Sequence, residues 1–150
     1  MSVSILRQLR AGLLVVALGV LSSAVMSCAY HQKPSLYQQL GEKEGIANVV
    51  DNLALLIASD PMLRPRFVDV DLFLFRTHLI EQLCKVSNGP CEYTGGSMKE
   101  VHRGLDISDA EFNRLVTHLR EAMTKEQIPY VAQNELLSKL APMHSDVTYQ

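Results

Sequence analysis

The sequence predicts an all-α domain, and three observations carry that expectation. Apolar residues recur at intervals of three and four in successive segments, no segment alternates convincingly with period two, and capping or breaking signals separate the periodic runs. From Glu42 onward, Ile46, Val49, Val50, Leu53, Leu56 and Ile57 mark one helical face, and Asp60-Pro61 stops it because a residue before proline is pushed out of helical geometry. A second helix is expected from about Asp71 to Lys85, with Leu72, Phe75, Leu79 and Leu83 on its stripe and Asn88-Gly89-Pro90 as the terminating turn. After a loop-rich stretch from Gly89 to Gly96, Ser108 caps a third long helix with Glu111 three residues on. That helix carries Phe112, Leu115, Val116, Leu119 and Met123 and ends near Gln127. Pro129 suits the first turn of a last helix bearing Leu136, Leu137, Leu140 and Met143, with Pro142 bending or stopping it. Four main helices and two short ones result, and Met62, Met123 and Met143 fall at core spacing.

Not all of the apolar content belongs to that domain. Arg7 and Arg10 precede an uncharged run from Ala11 to Ser27, the n-region and h-region of a signal peptide. Val25-Met26-Ser27-Cys28 resembles the lipobox of bacterial lipoproteins, in which the cysteine is acylated. The expected organisation is a signal peptide over 1–27, an acylated Cys28 with a tether to residue 35, and a domain over 36–147. An uncleaved anchor and a leader cleaved near Ala24 are the alternatives. All three put the domain outside the cytoplasm, lipid-anchored to the cell or outer membrane in the first case. Without residues 1–27 the formal charge falls from −2 to −4, which argues against nucleic acid as a partner.

No Ser-His-Asp order with a nucleophile elbow, no zinc-ligand spacing and no phosphate-binding glycine loop occurs, so nothing supports a hydrolase. The informative residue is His102, four after Met98 and three before Leu105, an imidazole among apolar side chains. By itself this fits a histidine hydrogen-bonded to backbone as well as a metal ligand.

The chain also resembles the truncated haemoglobins of the first group from Ser35 to about Val147. The carrying stretches are Leu36-Tyr37-Gln38-Gln39-Leu40-Gly41, Phe67-Val68-Asp69-Val70-Asp71, and Gly89-Pro90-Cys91-Glu92-Tyr93-Thr94-Gly95 leading to Met98-Lys99-Glu100-Val101-His102-Arg103-Gly104-Leu105. The resemblance implies a two-over-two helical sandwich, with His102 as proximal ligand of haem iron. Phe75, Leu79, Met98 and Leu115 would belong to the haem-binding set, and Lys99 and Arg103 could reach the haem propionates. No Cys-x-x-Cys-His attachment motif is present, so haem b would be held non-covalently.

On the distal side the sequence departs from the family. Leu53 and Ala54 stand where oxygen-stabilising members have Phe-Tyr, and Leu79 where many have glutamine. His78 falls where some members carry a sixth iron ligand; it could ligate iron, face solvent, or hydrogen-bond an external ligand. The family expectation is binding of oxygen or nitric oxide. The missing tyrosine weakens the case for nitric oxide dioxygenase activity. Two further readings stay open, a hexacoordinate electron-transfer or redox-sensing protein with an unidentified redox partner, and a haem-free helical lipoprotein that binds another protein. The Asn88-Gly89-Pro90 turn could bring Cys84 and Cys91 within bridging distance, and two separate thiols are the alternative. His118 is expected to serve packing or the helix surface, while His31 and His144 lie in the tether and terminal region.

Overall fold

The structure is a computed structural model that describes residues 33–150. The leader, Cys28, His31 and most of the tether lie outside the described residues. The described chain forms one compact unit with no extended strand among its residues.

A single turn, α1 (Leu36–Gln39), opens the fold through a capping box: the Ser35 hydroxyl accepts from Gln38 N–H, and the Gln38 side chain accepts from Ser35 N–H. Gly41, at φ +79, turns the chain into α2 (Glu42–Ser59), and at Gly45 a Cβ would collide with the Leu40 carbonyl. A 3₁₀ turn over Arg64–Phe67 leads to α3 (Leu72–Val86), whose first turn is capped by the Asp71 carboxylate accepting from Phe73 and Leu74 N–H. After the loop come α4 (Met98–His102), α5 (Asp109–Lys125), α6 (Tyr130–Leu140), a 3₁₀ turn over Ala141–Met143 and α7 (His144–Val147). Pro142 sits inside that last 3₁₀ turn, where the helix changes course.

The four long helices make a two-over-two sandwich. α2 pairs with α3 and α5 with α6, and the largest contact surface is α2 laid across α5. Ile46, Val49, Val50, Leu53 and Ile57 of α2 meet Leu119, Ala122 and Met123 of α5 and Leu136 of α6 in one core. Against expectation, Met62 is 47% exposed and Leu72 61% exposed. Met62 follows the end of α2, and the buried stripe of α3 is Ile80, Leu83 and Cys84, which leaves Leu72, at the first residue of the helix, about two turns outside it. One more short helix forms than the sequence suggested, because α1, α4 and α7 each last only four or five residues.

The sandwich is fastened by one buried carboxylate at the end of α2. Asp60 Oδ1 accepts the backbone N–H groups of Met62 and Leu63, and Oδ2 accepts from Arg114 Nε and, at 2.7 Å, from His118 Nε2, both on α5. His118 is therefore a buried partner of this carboxylate. Its Nδ1 has no hydrogen-bond partner among the described residues and faces Glu121 at 3.7 Å. Arg114, against the cost of burial, holds the Asp60 carboxyl well below its ordinary range, with His118 and the two backbone donors adding to it.

Asp60→Asn should therefore lower Tm by several degrees at pH 7. A carboxylate with a depressed native pKa contributes stability that is full above its unfolded value of about 3.9 and is lost as pH falls through the native value. The gap between the two proteins in thermal melts should hence narrow steadily below pH 4, and a gap independent of pH would contradict the role given to Asp60.

Candidate functional site

The loop before α4 is pinned to α3 at several points. α3 ends where Ser87 Oγ donates to the Leu83 and Cys84 carbonyls, and Gly89 passes so close to the Tyr37 ring and Cys84 Sγ that no side chain would fit. Cys84 and Cys91 are joined as a disulfide with a Cα separation of 5.8 Å. Three residues further on, Glu81 Oε2 accepts from Thr94 N–H at 3.0 Å and Thr94 Oγ1 at 2.8 Å. These two donors draw the Glu81 carboxyl below its usual range. Tyr93 donates to the Gly96 carbonyl, and burial raises its phenol above the ordinary value.

The same contacts reach the two histidines singled out by sequence. His78, half-buried on α3, lies with Nδ1 3.4 Å from Glu81 Oε2 and its ring edge-on to Tyr93. One turn later, Gln82 Nε2 donates to the sulfurs of Met98 at 3.3 Å and Met143 at 3.2 Å. α4 itself begins with a second capping box, Ser97 with Glu100.

His102 closes that helix. Its Nδ1 lies 2.7 Å from the Met98 carbonyl oxygen, which can only accept, so Nδ1 carries a proton and, in the neutral ring, Nε2 keeps the lone pair. This is the arrangement that orients an imidazole for ligation through Nε2. The expected apolar stripe around it is only partly formed: Met98 is half-buried, while Val101 and Leu105 are each about half exposed. The cause is local, since α4 stops at His102, Arg103 is extended and Gly104 turns at φ +80. Lys99 and Arg103 are exposed on either side of the histidine.

Leu53 and Ala54, adjacent in sequence, separate in space. Leu53 is core, whereas Ala54 faces a cavity of about 290 Å³ with Ile57, Ala58, Arg64, Phe67, Val68, Leu72, Phe75 and Arg76. Phe67 and Phe75 meet edge-to-face at 5.1 Å on its wall. Leu79 and Leu115 are half-buried against the core.

The segment after His102 is held from two sides that the sequence did not announce. Thr148–Gln150 lie along it: Gly104 N–H donates to the Gln150 carbonyl, Tyr149 N–H to the Ile107 carbonyl, and Ile107 pairs with Thr148 in a parallel bridge. From the other side Arg66 donates to the Leu105 carbonyl at 3.0 Å and grips Glu111 with Nε and Nη2. Glu111 also completes the Ser108 capping box, and Arg66 followed by Ser108 holds its carboxyl at about 2. Ser108 and Glu111 were visible as a helix signature, but their link to Arg66 spans 45 residues.

Two independent likenesses place this arrangement. The bacterial-like globin family matches residues 35–149. A group 1 truncated hemoglobin from Nostoc sp. is 37% identical over 89 residues, 59% of this chain and 75% of the relative; one from Mycolicibacterium paratuberculosis is 28% identical over 75% of this chain and 83% of its own. Among solved structures, truncated hemoglobin from Tetrahymena pyriformis in its Fe(III) form superposes with a TM-score of 0.75 at 18% identity, covering 78% of this chain and all of its own. A Synechococcus 2/2 hemoglobin with covalently attached heme gives 0.71, also at 18% identity, over 76% and 98%. The chain belongs to the bacterial-like globin family.

Arg66→Gln should leave Glu111 with Ser108 alone, so its pKa, read by NMR titration, should rise from about 2 toward the ordinary value. An unchanged Glu111 titration would show that the ion pair is not formed. Mass measurement before and after alkylation should find no free thiol at Cys84 or Cys91 in freshly isolated protein.

Proposed function

We propose that this globin is an exported, membrane-tethered haem protein that binds a small diatomic ligand, oxygen or nitric oxide, with His102 as the protein's ligand to iron. The observation that carries the reading is the fixed tautomer of His102: its Nδ1 is committed to the Met98 carbonyl, and its Nε2 lone pair is left for a metal. Haem b would supply the iron and its gas-binding position. The residues present suit that group. Met98, Phe75 and Leu79 are half-buried apolar side chains on the helices beside the histidine, and Lys99 and Arg103 are exposed cations within one turn of it. Both cysteines of the domain are spent on their disulfide, which supports non-covalent retention of the group.

On the distal side the chain offers aliphatic and aromatic surface from Ala54, Phe67 and Phe75 and no hydroxyl or amide at the positions of the missing tyrosine and glutamine. Nitric oxide needs less help from a donor than oxygen does, so the arrangement favours a nitric oxide sensor or scavenger over slow oxygen release. Export rests on the leader and Cys28, and it agrees with a disulfide, which persists in oxidising compartments.

A second reading has its own observation. His78 has Nδ1 beside the Glu81 carboxylate, an orientation that leaves its Nε2 free to act as a second iron ligand, giving an electron-transfer or redox-sensing protein.

Purified full chain with added haemin should bind it stoichiometrically, and His102→Ala should abolish or markedly weaken that binding. Retention of haem with an unchanged proximal spectrum in His102→Ala would overturn the assignment, and failure of the unmodified chain to bind haem would leave a haem-free interaction protein. His78→Leu decides between the two haem readings. A low-spin six-coordinate ferrous spectrum that becomes five-coordinate on substitution supports the redox protein. A five-coordinate spectrum in both supports the gas binder.

A further inference from the structure

Arg66 holds two partners with one planar group. Its Nε and Nη2 donate to the two carboxylate oxygens of Glu111 at 2.6 and 3.1 Å, and its Nη1 donates to the Leu105 carbonyl at 3.0 Å. The fork on Glu111 would by itself be an ion pair at the surface, since the Arg66 side chain is 43% exposed, and such pairs contribute little. The third bond is of another kind. It reaches a backbone carbonyl in a stretch where α4 has already ended and helical partners are lacking.

Leu105 is tied at both of its backbone ends. Its N–H donates to the His102 carbonyl at 3.1 Å, and its carbonyl accepts from Arg66. One residue of backbone therefore separates the guanidinium from the histidine's own carbonyl. On its other side Arg66 belongs to the turn that follows α2: its N–H donates to the Leu63 carbonyl at 2.9 Å, and the Leu63 N–H donates to Asp60. Phe67, the next residue, closes edge-to-face on Phe75. A rotation of this short turn carries Phe67 and Arg66 together, and Arg66 carries Leu105.

We propose that Arg66 is a positioning residue for His102: through Leu105 it sets how α4 ends and how the imidazole is presented, and through its own turn it couples that presentation to the Phe67 wall beside Ala54. The consequence at iron rests on the haem reading, whereas the coupling is a property of the chain's own residues and is measured without haem. Arginine is required because three donors in one plane serve two acceptors at once. A lysine ammonium is a point charge that would stay with Glu111, the stronger acceptor, and release Leu105.

The test is nitrogen NMR of the full chain labelled at histidine, without haem and at a pH where the ring is neutral, with His102 assigned by the signals lost in His102→Ala. The unmodified chain should hold His102 mainly as the Nδ1–H tautomer. Arg66→Lys should lower the ratio of that tautomer to the Nε2–H form about tenfold, the equivalent of one hydrogen bond, while Tm stays nearly unchanged. Phe67→Leu, checked for an unchanged circular dichroism spectrum, should shift the ratio in the unmodified background and have no further effect in Arg66→Lys, the non-additivity that marks coupling. In chain loaded with haemin and reduced, Arg66→Lys should lower the iron–imidazole stretching frequency, because a looser Nδ1–H bond to Met98 makes Nε2 a weaker donor. The inference is overturned if Arg66→Lys leaves the tautomer ratio unchanged, if the effects of Arg66→Lys and Phe67→Leu simply add, or if the ratio falls only as far as Tm falls. A chain that binds no haem but shows the tautomer shift would end the haem reading and leave the role of Arg66 standing; haem binding with an unmoved ratio would do the reverse.

Discussion

The described domain depends on the crossing of α2 over α5, and one buried carboxylate fixes that crossing. Hydrophobic contact between the helices is extensive but non-directional, and a stripe of leucine, isoleucine and valine tolerates sliding or rotation. Asp60 removes that freedom. It ends α2, accepts from the backbone of the following turn, and takes a guanidinium and an imidazole from two successive turns of α5. Removing a partner from such a cluster leaves a buried charge uncompensated, so the constraint is strict in a way that apolar packing is not.

α3, begun by its Asp71 cap and ended at Ser87, packs on α2, and the loop to His102 inherits its position from α3. The disulfide, Glu81 and Gln82 sit within one turn of each other on that helix and hold Cys91, Thr94 and Met98 respectively. This staging explains how a five-residue α4, too short to be stable alone, can present a histidine in a defined orientation. Beyond the histidine, the strap of Thr148–Gln150 and the Arg66 fork replace the helical hydrogen bonds that α4 lacks. Arg66 adjoins Phe67 in sequence, so the cavity wall and the segment after His102 share one fastening.

How much of this could be read from the chain depends on the range of the interaction. The long helices were legible because periodicity and capping are local: Asp60-Pro61, Ser108 with Glu111, and Asn88-Gly89-Pro90 act within a few residues. The family resemblance singled out His102, and its carbonyl partner is likewise only four residues away. The stripe around His102 was overdrawn because Leu105 was counted on a helix that stops at position 102, and Met62 was placed in the core by spacing although the chain had already left α2. Asp60 with His118, Arg66 with Glu111, and the terminal strap join residues 40 or more apart. No local pattern encodes such a pair, and His118 looked like an ordinary surface or packing residue for that reason.

Ala54 stands where the resemblance leads one to expect a tyrosine, and the cavity is the space beside it. A tyrosine at position 54 would carry a hydroxyl and put its ring in the space that Ala54 leaves to the cavity. Replacing it with alanine removes a donor and creates volume together, and cores normally close such volume because unfilled apolar space is costly. Here the neighbours do not close it: Ala58 is equally small, and Phe67 and Phe75 support each other edge-to-face at the side. The aromatic pair thus leaves apolar space open beside Ala54. The space beside Ala54 is therefore walled by aliphatic and aromatic surface, and Arg64 and Arg76 are the charged groups on its lining.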